Sequence, residues 1–566
     1  MFLDRIARAT LREVSVLAVL FAAGCASVPA PKLPETQDNA LAARCARAYA
    51  ALDAAVDAAG VRDAQAARVP GAPSLRVTRF SASFGPSLAD PLADPHAFAQ
   101  WRSLLEDEDR SARLVEIANL PPAPTRSVRA ALGAEGFGTL PPQAFLEGCG
   151  RTLADAATAT AALRADLVTR AQVPDDYDDA SRAVGLYPLT RIGFAAGVRL
   201  YEQSVRDAFA SAPVAIPPSA IAYAPAAAPP LSPAEAAAIL AQSRTNPLAI
   251  PHPSDGELDR LLELHAPTFV VDTQGTYDRI GRPVLGADGL ATTTPAPVVF
   301  ARVAHTRFAG RVLLQLVYTI WFPERPPASP GDILAGRLDG VMWRVTLDDD
   351  GAPLVFDSIH PCGCYHLFVP TARVVAKPPQ PTLDEQALVP ATLPALAAGA
   401  AVTVFVASGT HYVRAVRAGE PRVAAPIRYR VARDDALRSL AHPEGGTRSL
   451  YGPDGLVAGT GRAEVVLFWP LGIRAPGAMR QWGRHATAFV GRRHFDEALL
   501  LERYFVLAPR CDPGPPPWPT PGRTMTAFSP CPEERSWPIP LEIPRWIPPP
   551  CTARRSTRIA RSARCA

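Results

Sequence analysis

Val341-Met342-Trp343-Arg344-Val345-Thr346-Leu347 is followed by Asp348-Asp349-Asp350-Gly351 and then by Leu354-Val355-Phe356-Asp357-Ser358-Ile359. Two runs of strand length, rich in β-branched and aromatic residues, flank a segment with the Asp/Gly chemistry of a tight turn. They predict an antiparallel hairpin. Further runs of this kind cover Thr268 to Asp272, Val298 to Val303, Val312 to Phe322, Val402 to Val406, Ile427 to Val431 and Glu464 to Trp469. Because no regular helix separates most of them, a mainly antiparallel sandwich or barrel-like sheet is expected over residues 234–509, rather than a doubly wound fold. Two short helices, Ser232 to Ser243 and Asp255 to His265, open this region.

Towards the N-terminus the period changes from two to about 3.6. Asp38 can cap a helix whose stripe is Leu41, Cys45, Tyr49, Leu52 and Val56, with Gly60 as its stop. A second helix is expected after Pro141-Pro142, carrying Leu146, Cys149, Leu153, Ala156, Thr160, Leu163 and Leu167, and a third through Phe194, Val198, Tyr201, Val205 and Phe209. Residues 38–211 therefore read as a helical domain, and the Pro/Ala-rich stretch 212–233 as a linker. The fold class is α+β. Cys45 and Cys149 both fall on apolar stripes, so a disulfide between their helices is expected.

The 566 residues carry 48% hydrophobic and 20% charged side chains, a composition that supports sizeable globular cores. A net charge of +4 gives no reason to expect a nucleic-acid partner. Arg5, Arg8 and Arg12 precede a short apolar run, Val14 to Ala23, too short for a permanent span, which needs about 20 residues. The run ends in Ala22-Ala23-Gly24-Cys25, which resembles the lipobox of bacterial lipoproteins, with Ala22 where the usual pattern has Leu. The resemblance covers residues 1–25 and implies a cleaved signal peptide, 1–24, and acylation of Cys25. It further implies anchorage in a bilayer of the cell envelope and, with Ala26 following, the outer membrane, facing the periplasm or the cell surface. Residues 25–37 would be a tether. Residues 510–566, rich in Pro, Cys and Arg, read as a disordered tail. In that oxidising setting the eight other cysteines are expected to pair.

One constellation concentrates chemistry: His360-Pro361-Cys362-Gly363-Cys364-Tyr365-His366. Three readings apply to it. Cys362 and Cys364 can be oxidised, to each other or to the C-terminal cysteines. A turn at Pro361 and Gly363 can gather the thiols with His360 and His366 around zinc or copper, at about 2.0–2.3 Å. A reactive thiol pair is the third reading. Lower-ranked candidates are Ser408 and His411 in Ser408-Gly409-Thr410-His411, His305, and the carboxylates Asp272, Asp278 and Asp357. Elbow, zinc-helix, phosphate-loop and dinucleotide motifs are absent. The sequence thus favours a non-enzymatic envelope protein that binds or assembles an envelope protein partner, with a metal-binding or thiol-dependent enzyme at the His/Cys cluster as the alternative.

Overall fold

The computed structural model describes residues 37–89, 94–211, 216–226, 231–421, 423 and 425–509. The expected signal peptide, Cys25, the rest of the expected tether up to residue 36 and the tail from residue 510 lie outside them.

Helix α1 (Gln37–Ala59) starts the described chain and ends where Gly60 takes a positive φ and bonds back to Asp57. After a short hairpin, 67–77, come α2 (Pro95–Ala118), α3 (Pro122–Ala134), α4 (Pro142–Ala157), α5 (Ala161–Arg170) and α6 (Tyr187–Ser211). The expected second helix is therefore two. Thr160 turns outward and its side chain accepts from the Leu163 N–H, capping α5 instead of packing on a continuous stripe. The Cys45 and Cys149 sulfurs, one on α1 and one on α4, form a disulfide with Cα atoms 5.2 Å apart. Leu41, expected on the buried stripe, is exposed, and Ala42 and Ala48 lie inside instead.

The second half is built on one ten-stranded sheet. Its strands are β1 (Ile221–Pro225), β2 (Thr268–Val271), β3 (Val298–Phe308), β4 (Arg311–Arg325), β5 (Gly336–Leu347), β6 (Pro353–Ile359), β7 (Leu367–Pro370), β8 (Val402–Val406), β9 (Val413–Ala418) and β10 (Ile427–Arg433). Their order is β7-β6-β5-β4-β3-β10-β1-β2-β8-β9. Most neighbours are antiparallel, and three junctions, β3/β10, β10/β1 and β2/β8, are parallel. The opening hairpin forms as expected, Val345 opposite Phe356 and Arg344 opposite Asp357, with Gly351 supplying the positive φ of its turn.

Helices α7 (Pro233–Ser243) and α8 (Asp255–Leu264) start at the capping boxes Ser232/Glu235 and Ser254/Glu257. They cover a core that includes Phe269, Leu316, Tyr318, Trp343 and Phe356.

Two expectations fail here. Residues 212–233 are not simply a linker, because Ile221–Pro225 pairs with both β10 and β2 inside the sheet. Glu464 to Trp469 is not a strand but a helical turn, Val465–Phe468, running into a 3-10 turn at Trp469–Leu471. Its valines and leucine are exposed, so no core face holds the run extended.

The first half of the chain and the turns of the second half meet through polar clamps. Asn119 donates to the Arg438 carbonyl at 2.7 Å, Arg79 holds Asp496 at 3.1 Å, and Arg438 pairs with Asp63.

Candidate functional site

Asp339 lies in β5 opposite Phe322 of β4, fully buried. A carboxylate there needs donors from elsewhere in the chain. The first comes from the turn after β6, where His360 N–H donates to the Cys364 carbonyl at 3.0 Å and Gly363 N–H to the His360 carbonyl at 2.8 Å. Gly363 sits at φ +95°, and a Cβ on it would lie 2.5 Å from the Ala486 carbonyl oxygen, so the position excludes other residues. The turn aims His360 Nδ1 at Asp339 Oδ1, 3.1 Å away. The second donor comes from the turn between β8 and β9. These strands end the sheet opposite β6 and β7, yet the sheet curls far enough for His411 to stack on Phe322, ring centroids 3.9 Å apart. His411 Nδ1 is 2.9 Å from Asp339 Oδ2, and Nε2 is 3.3 Å from Asp278 Oδ1. Asp278 also accepts from Ser408 Oγ and Gly409 N–H, both at 2.7 Å.

The result is a buried relay, Asp278–His411–Asp339–His360. Burial opposes every charge in it, but the partners decide the outcome. His411 is raised above the ordinary histidine range because two carboxylates outweigh its burial. Asp339 is held well below the usual carboxylate range by both imidazoles, and Asp278 is lowered by His411 and backbone N–H groups. His360 goes the other way, since its burial exceeds the pull of Asp339. A neutral His360 donates from Nδ1 and keeps a lone pair on Nε2, which is buried without a hydrogen-bond partner. Three non-glycine residues of this centre, Leu338, Tyr365 and His411, have positive φ of 50°, 65° and 55°. Such strained backbone is held in place only by surrounding structure.

Tyr365 and Tyr412 stand against His360, with ring centroids at 4.8 and 5.7 Å. With Tyr201 of α6 they wall a cavity of about 300 Å³, closed by Phe194, Phe468 and Phe489. The three tyrosine rings lie 4.5 to 6.1 Å from one another. Arg325 reaches the Tyr412 hydroxyl at 3.3 Å and the Tyr365 hydroxyl at 3.5 Å. Glu202, His366, Glu385, Gln386, Glu464 and Arg493 are among the polar part of the lining.

The four donors expected around zinc or copper do not converge. His366 Nε2 is 3.0 Å from Asp357, which also holds Arg344 at 2.9 and 2.5 Å, whereas His360 belongs to Asp339 on the neighbouring strand. Among the described residues no group of three or more His, Cys, Asp or Glu is placed to hold a metal ion. Neither are Cys362 and Cys364 oxidised to each other. Both are free, buried thiols that hydrogen-bond together, which lowers Cys362 and raises Cys364 well above the usual thiol range. Ser408 and His411 do meet at one carboxylate, but Ser408 donates to Asp278 rather than to the imidazole, so the pair is not a nucleophile and base. His305 lies apart, stacked on Phe80 with Nε2 2.8 Å from the Pro251 carbonyl. Asp272 accepts from Ser219 at 2.8 Å, also outside the relay.

Sequence reasoning passed over Asp339, Arg325 and Tyr412, and met Tyr201 only as a helix-stripe residue and Tyr365 only as a member of the His/Cys cluster. The available signal was Asp339 itself, an acid in a strand whose residues from Leu338 to Leu347 are all buried. Comparison with protein families, with curated proteins and with solved structures finds no match to this chain.

Proposed function

We propose that this chain is a lipid-anchored protein of the bacterial cell envelope that binds a small, largely apolar ligand in the tyrosine-walled cavity and is not itself an enzyme. The observation that carries the reading is the cavity: aromatic walls, a few convergent polar groups, and a rigid buried ion relay behind Tyr365 and Tyr412. The anchor rests on the lipobox resemblance at Cys25. An exposed apolar surface on the same elements supports it, with Val184, Leu189, Ile192 and Leu200 on and before α6 beside Val466 and Trp469. Such a surface fits a bilayer held nearby by acyl chains. No helix among the described residues is long and apolar enough to cross a membrane.

The test is titration of the purified protein with N-phenyl-1-naphthylamine, which fluoresces in apolar surroundings. Saturable binding at about micromolar concentration, weakened at least about tenfold by the cavity-filling Val198→Trp, is expected. Equal binding by a folded Val198→Trp protein removes the cavity from the proposal. Incorporation of labelled fatty acid by the wild type and not by Cys25→Ala checks the anchor.

The free Cys362/Cys364 pair favours a second reading, thiol-dependent chemistry. Rapid alkylation of Cys362 by iodoacetamide in the folded protein supports it; protection until denaturation ends it.

A further inference from the structure

A larger cleft, about 890 Å³, lies across Glu385 and Gln386 from the tyrosine cavity, and those two residues line both. Six cationic side chains face it, Arg182, Arg191, Arg206, Lys377, Arg492 and Arg503, against the two carboxylates Asp384 and Glu385. Most of these cations are already matched. Arg191 is 3.6 Å from Asp384, Arg206 is 3.3 Å from Glu202, Arg503 is 3.1 Å from Glu497, and Arg492 pairs with Asp175 and Asp179. Glu385 belongs to Arg493 at 3.3 Å.

Arg182 and Lys377 differ. Arg182 is buried, lies over the rings of Tyr177 and Tyr187 at 4.5 and 4.3 Å, and donates to the Leu471 and Gly491 carbonyls, both at 2.8 Å. Lys377 donates to the Glu502 carbonyl. Among the described residues neither has a carboxylate within ion-pair distance. The Arg182 guanidinium is held by two tyrosine faces and two carbonyls, none of which carries a negative charge, so an anion entering the cleft would meet a cation that no carboxylate of the described residues offsets.

From this charge balance we infer that the cleft is a binding site for a dianionic saccharide, a sugar carrying a phosphate monoester. Two unmatched cations suit one dianion. The rest of the lining suits a sugar ring: Pro378 and Pro379 offer apolar surface, and Gln380 and Thr382 offer hydrogen-bonding groups. The site is independent of the apolar ligand proposed above.

Calorimetric titration of the full acylated protein in detergent, at low salt, tests it with glucose 6-phosphate, glucose and inorganic phosphate. Glucose 6-phosphate binds, glucose does not, and Lys377→Ala weakens the sugar phosphate by about tenfold, the loss of one charge-assisted contact. Arg182→Gln is expected to abolish binding. Because Arg182 also packs, the double variant Lys377→Ala/Arg191→Ala, at two half-buried positions of the cleft, provides the decisive arm. Val198→Trp leaves this binding unchanged, which separates the cleft from the cavity. Absence of binding up to about 10 mM sugar phosphate, or an unchanged affinity in the double variant, overturns the site. Inorganic phosphate binding as tightly as the sugar phosphate overturns its saccharide character.

Discussion

His411 is bracketed by Asp278 and Asp339 and sealed under Phe322, so its proton is part of the fold. Its folded pKa is raised, so its contribution is complete below the unfolded value of about 6.5 and is lost as pH rises through the folded value. His411→Gln leaves two buried carboxylates without their shared cation and should cost about 3–5 kcal/mol near pH 6. Urea unfolding of wild type and variant at pH 6 and pH 9 checks this. The gap narrows at pH 9, and a constant gap contradicts the charged imidazole. His411 was legible in the sequence only as a histidine in a Ser/Gly turn. Its two acids lie 133 and 72 positions away, as Asp278 and Asp339, and no local pattern connects residues so separated.

Among the elements, those with clean periodicity were readable and those with charged interiors were not. Helix α2 escaped because its buried face carries Asp109, Arg113 and Glu116 among Trp101, Leu105 and Ala112. Arg76, from the hairpin at 67–77, neutralises that face by bonding Asp109 at 3.1 Å and Glu116 at 2.8 Å. An apolar stripe interrupted by three ions does not read as amphipathic. Helices α1 and α4 were legible by contrast, and their stripes brought Cys45 and Cys149 together. Replacing both by serine should destabilise the protein by about 2–4 kcal/mol, the entropy of opening a loop of roughly 100 residues. Equilibrium unfolding of the double variant, and of wild type with and without reductant, measures it. Equal midpoints would assign the bridge no role in stability.

Acid response belongs to the molecule as a whole. His265, His305 and His366 are lowered to about 4 and His485 to about 3, in each case because burial disfavours the cation. Groups of this kind stay neutral in the fold while the unfolded chain takes up protons, so stability falls as pH drops from about 6.5 towards 4. His411 and His494, both raised, oppose the trend, but fewer groups act in that direction. Each lowered histidine contributes on the order of 1–3 kcal/mol to the loss. The melting temperature should therefore decline between pH 7 and pH 4.5, before most carboxylates protonate. A flat profile would mean that these imidazoles reach solvent in the folded protein.

The order of helices before strands, the central hairpin and the two short helices α7 and α8 were determined by sequence alone, because period and turn chemistry act over a few residues. The relay, the tyrosine cavity and the basic cleft were decided only by tertiary structure. Each takes its residues from elements far apart in the chain, and curling of the sheet brings the β8/β9 turn onto β4 and β5. The same long-range packing turned an expected linker into a central strand, since β10 and β2 on either side satisfy the backbone groups of Ile221–Pro225.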